Sequence, residues 1–271
     1  MLIGNLVTGR LYREDPMTPA EREEFETDLI SLCDHELDRL GDIAGLDVLY
    51  AGGSSLLWIE GLSQRIGRDG SVTALDLDAE RVEAAREQLE EAELVAPVRL
   101  IAGDVFEMPF LPGTFDFAYS AGLLHELEVG KRTAEEALAA LASAVRPGGR
   151  LATSDFVNTE PSVQLEGEKL QADLVREIFG RKLYGIGPPG RLVALHEKLL
   201  VDVRWRVSPP RPIRHLDKVV LDEGELVELS SLSPEMVRRL RAGWELLRER
   251  IRRDGYTRPA TLYVEGLVSD A

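Results

Sequence analysis

The chain has 271 residues and a formal net charge of −16. Such an acidic balance disfavours nucleic acid as the main partner, because phosphate binding requires a basic surface. No apolar run approaches the roughly 18 residues that a membrane-spanning helix requires, and residues 1–15 lack the basic start and apolar core of a secretion signal. We therefore expect a soluble, cytoplasmic protein, and the single cysteine, Cys33, excludes an intrachain disulfide.

The N-terminal region predicts a helix. Thr18 is a good N-cap, Glu21 stands at the third helical position, and the two residues can form a capping box. Apolar residues then recur at roughly helical spacing from Phe25 to Leu40. We predict that residues 1–40 form a helical lid over a ligand site of the domain that follows.

The stretch 46–78 predicts the central unit of the fold. A short apolar run before Gly52 is typical of a parallel strand that is buried on both faces. Gly52 and Gly53 let the backbone turn sharply into a helix, and a second strand ends at Asp76, about 20 residues beyond the turn. An acid at that point can accept hydrogen bonds from ribose hydroxyls, so the unit predicts a nucleoside-binding α/β sheet.

Helix and strand signals continue to alternate as far as residue 156. Helical patterns cover residues 79–92 and 134–145, and short apolar strands cover 98–102, 114–120 and 150–156. This alternation predicts a parallel sheet with helices on both faces, in which ligands bind at the carboxyl ends of the strands. The candidate site residues all stand at such ends: Gly52, Asp76, Asp104, Ser120 and Asp155.

Beyond residue 156 the pattern changes. Two segments, at about 157–200 and 214–256, are mostly helical, whereas 201–207 and 261–268 are strand-like. We therefore predict one domain over residues 41–271, with helical insertions in the two places named. The tryptophans are predicted to be packing residues: Trp58, Trp205 and Trp244.

Four blocks of the sequence are similar to the motifs of a known family. They are VLYAGGSS at 48–55, VTALDLDAERVEAARE at 72–87, VRLIAGDVFEMPFLPGTFDFAYSAGLLHEL at 98–127 and AVRPGGRLATSDF at 144–156. In this order they resemble the class I S-adenosylmethionine-dependent methyltransferases that act on small molecules, of the ubiquinone/menaquinone-methyltransferase-like type. The resemblance covers roughly residues 40–268.

The resemblance implies a Rossmann-like, doubly wound α/β sheet of seven strands, mostly parallel with one antiparallel strand, and helical cap elements. It implies S-adenosyl-L-methionine as the cofactor, with Asp76 at the ribose, Asp104 at the adenine amino group and a backbone N–H from Val105. The expected cofactor-binding residues are Ala51, Gly52, Gly53, Ser54, Asp76, Leu77, Asp104, Val105 and Ser120.

The chain departs from the family at the first glycine motif. The family usually has an acid where Tyr50 stands, a glycine where Ser54 stands and often another glycine at Leu56, so the motif is eroded. We expect Ser54 and Ser55 to compensate by offering hydroxyl donors to the carboxylate of the cofactor's amino-acid end.

His125 follows the fourth predicted strand and could act as a general base toward a bound acceptor, because a histidine ordinarily titrates near neutral pH. Packing in the core is the competing interpretation. The resemblance places the acceptor pocket under the N-terminal segment and the first insertion, where Tyr12, Tyr184 and His196 could line it. No His or Cys cluster has metal-ligand spacing, so we expect no metal.

These observations leave several functions open. The first is methyl transfer to the oxygen, nitrogen or carbon of a small-molecule acceptor. The second, motivated by the eroded glycine motif, is a regulator or other enzyme that binds S-adenosylmethionine or S-adenosylhomocysteine without methyl transfer. The third is a nicotinamide-dependent reductase, against which the missing Tyr-x-x-x-Lys pair argues. A homodimeric assembly also stays open.

Overall fold

The computed structural model describes residues 17–160, 163–221 and 232–269 of the chain. The helices are α1 (Pro19–Leu37), α2 (Leu56–Ile66), α3 (Ala79–Leu89), α4 (Ala134–Ala144), α5 (Val163–Phe179), α6 (Pro189–Glu197), α7 (Leu216–Leu221) and α8 (Pro234–Asp254). The strands are β1 (Asp47–Ala51), β2 (Ser71–Asp76), β3 (Val98–Ala102), β4 (Phe115–Ala121), β5 (Val145–Phe156), β6 (Leu200–Ser208), β7 (Arg211–Pro212), β8 (Thr257–Arg258) and β9 (Thr261–Val268).

Seven of the described strands form one sheet, in the order β3-β2-β1-β4-β5-β9-β6. Strands β1 to β5 are parallel to one another, whereas β9 runs antiparallel to both β5 and β6. The central strands β1, β2 and β4 are buried along most of their length, as expected when helices cover both faces of a sheet. The predicted fold class is confirmed.

Each face of the sheet has its own apolar core. On one face, α1 and α2 pack against a row of rings in which Tyr119 stacks with Tyr50 at 5.9 Å and with Phe117 at 6.5 Å between ring centroids. On the other face, α4 and α6 contribute Leu138 and Leu192 to a second core. The small alanines of α4 let this helix approach the sheet closely.

Helix α1 begins as the sequence predicts. The side chain of Thr18 accepts the backbone N–H of Glu21, and the carboxylate of Glu21 accepts the backbone N–H of Thr18. These reciprocal bonds satisfy two donors that the first turn of a helix leaves open. Residues 1–16 lie outside the described part of the chain, so the lid role of residues 1–40 stays a prediction.

The last turn of α1 carries a buried acid that joins the helix to the sheet. The Glu36 carboxylate accepts hydrogen bonds from the hydroxyls of Ser154 (2.6 Å) and Thr261 (3.1 Å). It lies 3.0 Å from Nη1 of Arg39 and 3.7 Å from Nη1 of Arg258. Burial lowers the pKa of both guanidinium groups. We call these five residues the Glu36 cluster.

Two sequence predictions differ from the structure. Strand β5 begins at Val145 and not at Arg150, because the Pro147–Gly149 turn bulges within the strand, with Gly148 at a φ of +73°. Trp205 does not pack in the core: it lies on the edge strand β6 with 54% of its surface exposed. The alternating pattern of polar and apolar residues on β6 is therefore that of an edge strand, in which residues of both kinds are exposed to solvent.

A smaller core lies beyond the sheet, between α1, α7 and α8. Its buried members are Leu32, Ile213, Leu216, Leu247, Ile251 and Tyr256. The short β7–β8 ladder closes this region beside the start of β9. Among the helices of the described residues, none is both long and apolar enough to cross a membrane.

Candidate functional site

The turn after β1 and the ends of β2 and β3 meet at one edge of the sheet. The backbone N–H of Gly52 donates to the carbonyl of Leu75 at 2.8 Å, and that of Gly103 donates to the carbonyl of Asp76 at 2.8 Å. The two bonds tie the glycine turn to the end of β2 and the end of β2 to the loop that begins with Asp104. The structure thus brings together Gly52, Asp76 and Asp104, as parallel strands with a common carboxyl edge require.

The glycine turn is packed tightly by the protein's own side chains. Gly52 has a φ of +78°, and a Cβ there would lie 2.8 Å from Cδ1 of Leu123. A Cβ on Gly53 would lie 2.4 Å from the hydroxyl of Tyr50. Tyr50, which stands where the family has an acid, therefore packs under the turn. Its ring leaves no room for a side chain at position 53, which explains the glycine there.

Asp76 is held in place with both carboxylate oxygens engaged. The Ser54 hydroxyl donates to Oδ2 at 3.0 Å, and the backbone N–H of Asp78 donates to Oδ1 at 3.0 Å. A carboxylate has about four acceptor positions, so each oxygen can still accept a further hydroxyl. Ser54 is thus bonded to Asp76, which differs from the expected role toward the cofactor's carboxylate. The next residue, Leu77, exposes 74% of its surface beside this acid.

Asp104 opens a short turn of 3₁₀ helix at Val105–Glu107. Its Oδ1 accepts the backbone N–H of Phe106 at 2.9 Å. Its Oδ2 accepts Nη1 of Arg132 at 2.7 Å, and Nη2 of the same arginine donates to Glu107 at 2.6 Å. The hydrogen bond with Glu107 raises the pKa of Arg132. Nothing in the sequence pattern placed Arg132 here, because the loop that carries it lies 28 residues further along the chain.

Ser120 stands at the end of β4, in register with Ala51 of β1 and Thr153 of β5. Only 1% of its surface is exposed, and its Oγ has no hydrogen-bond partner among the described residues. A buried hydroxyl without a partner costs free energy, so the site has an unused polar group at the strand next to the glycine turn. Protein atoms cover this hydroxyl, so its contact with the cofactor stays a prediction.

His125 and Asp155 form a buried pair at the ends of β4 and β5. Nδ1 of His125 lies 2.7 Å from Oδ1 of Asp155, and the side chains are 2% and 1% exposed. Asp155 also accepts the backbone N–H groups of Leu124 at 2.6 Å and Phe156 at 2.8 Å. Because an ionised carboxylate only accepts, Nδ1 of the neutral imidazole carries the proton and Nε2 is the basic nitrogen. Nε2 lies 3.8 Å from Oε1 of Glu126.

The segment around Tyr184 covers this pair. The backbone N–H of Tyr184 donates to the carbonyl of Leu127 at 2.6 Å, and that of Gly185 donates to the carbonyl of His125 at 2.9 Å. The guanidinium of Arg191 lies 3.4 Å from the centroid of the Tyr184 ring. Burial raises the pKa of the half-buried tyrosine. Tyr184 thus lies beside the strand ends, and its role in an acceptor pocket stays a prediction.

His196 lies in the core and not in a pocket wall. Its surface is fully buried, Nδ1 is 2.7 Å from the carbonyl of Leu192, and Nε2 is 2.9 Å from the Thr153 hydroxyl. Burial lowers the pKa of this imidazole. A helical pattern does not distinguish a histidine that packs inward from one that lines a cleft, which is why the sequence misplaced it. The third predicted pocket residue, Tyr12, lies outside the described residues.

A cavity of about 250 Å³ lies beyond the end of β5, where α5 and α8 meet the sheet. Its walls include Val157, Thr159, Arg250, Asp254 and Thr257, and none of the predicted site residues. Within the described parts of the chain, no group of three or more His, Cys, Asp or Glu side chains could hold a metal ion.

Comparison with known sequences agrees with this geometry. Residues 48–149 match a methyltransferase domain family. An O-methyltransferase, cnsE, from Penicillium expansum is 34% identical over 117 residues, which are 43% of this chain and 39% of that protein. The ubiquinone/menaquinone biosynthesis C-methyltransferase UbiE of Idiomarina loihiensis is 30% identical over 145 residues, 51% of this chain and 55% of that protein. The chain thus spans about half the length, or less, of these relatives.

Solved structures share the fold at low sequence identity. Phosphoethanolamine N-methyltransferase 2 of Haemonchus contortus superposes with a TM-score of 0.56 at 15% identity, over 89% of this chain and 53% of that one. A geranyl diphosphate methyltransferase in complex with S-adenosylmethionine gives a TM-score of 0.53 at 17% identity, over 97% and 96% of the two chains. The strand order and the family match agree: residues 48–149 match the methyltransferase domain family, and the described sheet has the fold of these solved methyltransferases.

Proposed function

We propose that this protein transfers the methyl group of S-adenosylmethionine to a small-molecule acceptor. The observation that carries the proposal is the meeting of Gly52, Asp76 and Asp104 at one edge of a methyltransferase domain. Two acids on adjacent strand ends suit a ligand with a diol at one end and an amino group at the other. The adenosine part of S-adenosylmethionine has both groups.

In our proposal each residue at this edge binds a different part of the cofactor. Asp76 would accept the ribose hydroxyls, and the exposed side chain of Leu77 offers an apolar surface to the base. Asp104 would accept the adenine amino group. Ser120, at the end of β4, is a further predicted contact, although its hydroxyl would first have to be uncovered. The bound cofactor supplies a methyl group on a sulfonium, so the protein mainly has to align the acceptor and exclude water.

The acceptor is proposed only as a class. The relatives include an enzyme named as an O-methyltransferase and enzymes named as ubiquinone/menaquinone C-methyltransferases, so oxygen and carbon are the acceptor atoms that similarity favours. Both names refer to proteins of which this chain covers about half or less. A cytoplasmic location, a homodimer and the absence of a nucleic-acid partner stay predictions.

Direct titration tests the function. We expect purified protein to bind S-adenosylmethionine and S-adenosylhomocysteine in calorimetry and not NADH. It should also move a labelled methyl group from S-adenosylmethionine to a component of a small-molecule extract. Binding of NADH alone would end the methyltransferase proposal in favour of a reductase. Binding of the two sulfur ligands without any labelled product would favour a protein that uses the fold for binding only.

We further propose that His125 is the base for acceptors that must lose a proton, and that Asp155 is its positioning residue. The 2.7 Å contact between Nδ1 and the Asp155 carboxylate fixes the ring and its tautomer, so that Nε2 would receive the proton of an acceptor hydroxyl. Burial of both side chains strengthens the hydrogen bond and keeps water from the pair. Further titratable groups of this region are Glu126, 3.8 Å from Nε2, and Tyr184 and His196, which both interact electrostatically with Asp155.

Nitrogen-15 NMR of the imidazole rings checks the tautomer. We expect His125 in the wild type to show a protonated Nδ1, and Asp155→Asn to mix in the tautomer protonated at Nε2, because an amide can donate as well as accept. Thr153→Val is the matched control, since it removes a hydroxyl next to His196 and leaves the His125 contact intact. A wild-type ring protonated at Nε2, or one that Asp155→Asn leaves unchanged, would contradict the positioning role.

A further inference from the structure

Arg132 occupies the position at Asp104 that the proposed function gives to the adenine amino group. Nη1 of Arg132 is 2.7 Å from Oδ2 of Asp104, and the other carboxylate oxygen is held by the backbone N–H of Phe106. Oδ2 is therefore the oxygen that the backbone of the turn leaves without a hydrogen bond. A donor that approaches Oδ2 from the site has to share this oxygen with the guanidinium or replace it.

The same arginine is held by two further contacts. Nη2 donates to Oε1 of Glu107 at 2.6 Å, and the guanidinium carbon lies 5.1 Å from the centroid of the Phe106 ring. Ring and guanidinium can stack favourably at this distance. The cation thus neutralises two acids, Asp104 and Glu107, that would otherwise repel each other at the end of the site.

All three side chains of this contact are partly exposed to solvent. The side chain of Arg132 is 46% exposed, that of Asp104 34% and that of Glu107 71%. Ion pairs with this much solvent around them contribute little to stability, so a ligand can displace them at low cost. A fully buried pair would not allow such an exchange.

We propose that Arg132 is a specificity-determining residue, which closes the base end of the cofactor site and is displaced from Asp104 by the exocyclic amino group of adenine. This inference rests on the proposed cofactor site. The inference requires a base with a hydrogen-bond donor opposite Asp104. Adenine has such a donor, its amino group, which would replace the Arg132 guanidinium as the partner of the carboxylate. A 6-keto base has only an acceptor at that atom and gains nothing when Arg132 leaves.

Calorimetry with two ligands tests the inference. The probes are S-adenosylhomocysteine and its 6-keto analogue, S-inosylhomocysteine. We expect Arg132→Ala to bind S-adenosylhomocysteine about two- to fivefold more tightly than the wild type at low salt, because the competing ion pair is gone. The gain should shrink as ionic strength rises, and it should be absent for S-inosylhomocysteine.

Matched variants separate the possible causes. Arg146→Ala removes another exposed arginine, whose ion pair with Asp116 is also 2.7 Å long but lies at the start of β4, at the amino ends of the strands. We expect this variant to bind S-adenosylhomocysteine and S-inosylhomocysteine as the wild type does. Asp104→Asn should weaken the binding of S-adenosylhomocysteine. If the wild type and Asp104→Asn behave as expected but Arg132→Ala binds equally or more weakly, the inference is overturned while the cofactor site stands. If no variant binds S-adenosylhomocysteine, the proposed function itself fails.

Discussion

Asp76→Ala is expected to weaken the binding of S-adenosylhomocysteine about tenfold to a hundredfold. A carboxylate that accepts ribose hydroxyls forms charge-assisted bonds, each worth roughly 1.5–3 kcal/mol, and about 1.4 kcal/mol corresponds to a factor of ten in affinity. The effect should be large because Ser54 and the backbone N–H of Asp78 already hold the carboxylate in one orientation. No entropy of ordering the side chain then opposes binding.

Variants of two neighbouring residues serve as comparisons for Asp76→Ala. Ser54→Ala removes one bond to Asp76 but keeps the carboxylate, so its loss of affinity should be a few-fold at most. Asp78→Ala removes an equally charged side chain that accepts the N–H groups of Glu80 and Arg81 at the start of α3. It should lower the melting temperature through the lost N-cap while the affinity stays within twofold. Calorimetry in which Asp76→Ala binds like the wild type would remove Asp76 from the site.

Glu36→Ala is expected to destabilise the domain by about 3–5 kcal/mol. In the Glu36 cluster the carboxylate faces Arg39 at 3.0 Å and accepts two hydroxyls, and only 2% of the residue surface is exposed. Alanine leaves a buried guanidinium without its counter-charge, and it leaves the hydroxyls of Ser154 and Thr261 without an acceptor. The free energy of unfolding, measured in urea with circular dichroism, reports the loss.

The control for Glu36 lies on the same helix. Asp34 pairs with Arg65 at 3.0 Å, but its side chain is 58% exposed and Arg65 keeps a second partner in Asp38. Asp34→Ala should therefore cost less than about 1 kcal/mol. Equal losses for the two variants would show that charge on α1, and not burial, determines its stability. Glu36→Gln keeps an acceptor for one hydroxyl and should fall between the two.

The sheet and its ligand edge could be predicted from the sequence because both follow from local pattern. Apolar runs marked the strands, and the residue after each run, such as Asp76 or Asp104, had to fall on the common carboxyl edge. His125 and Asp155 were placed at strand ends for the same reason. Their 2.7 Å contact follows once β4 and β5 are neighbours.

Contacts between segments that are distant along the chain could not be predicted from the sequence. Glu36 meets Ser154 and Thr261 across separations of 118 and 225 residues, and the helical pattern of α1 gives no sign that this acid is buried. Arg132 reaches Asp104 only because the loop after β4 folds back over the loop after β3. Trp205 was misplaced because an aromatic residue in an alternating strand does not reveal whether that strand lies at an edge of the sheet.

The position of β9 has a consequence for synthesis of the chain. This strand lies between β5 and β6 in the sheet, although both precede it along the sequence. A nascent chain on the ribosome can pair β1 to β5 as they emerge, but β6 has no neighbour to join until residues 261–268 have been made. Until then the exposed edge of β5 and the unattached β6 are open to chaperones and to wrong partners, so assembly of the sheet has to finish after translation of its last strand.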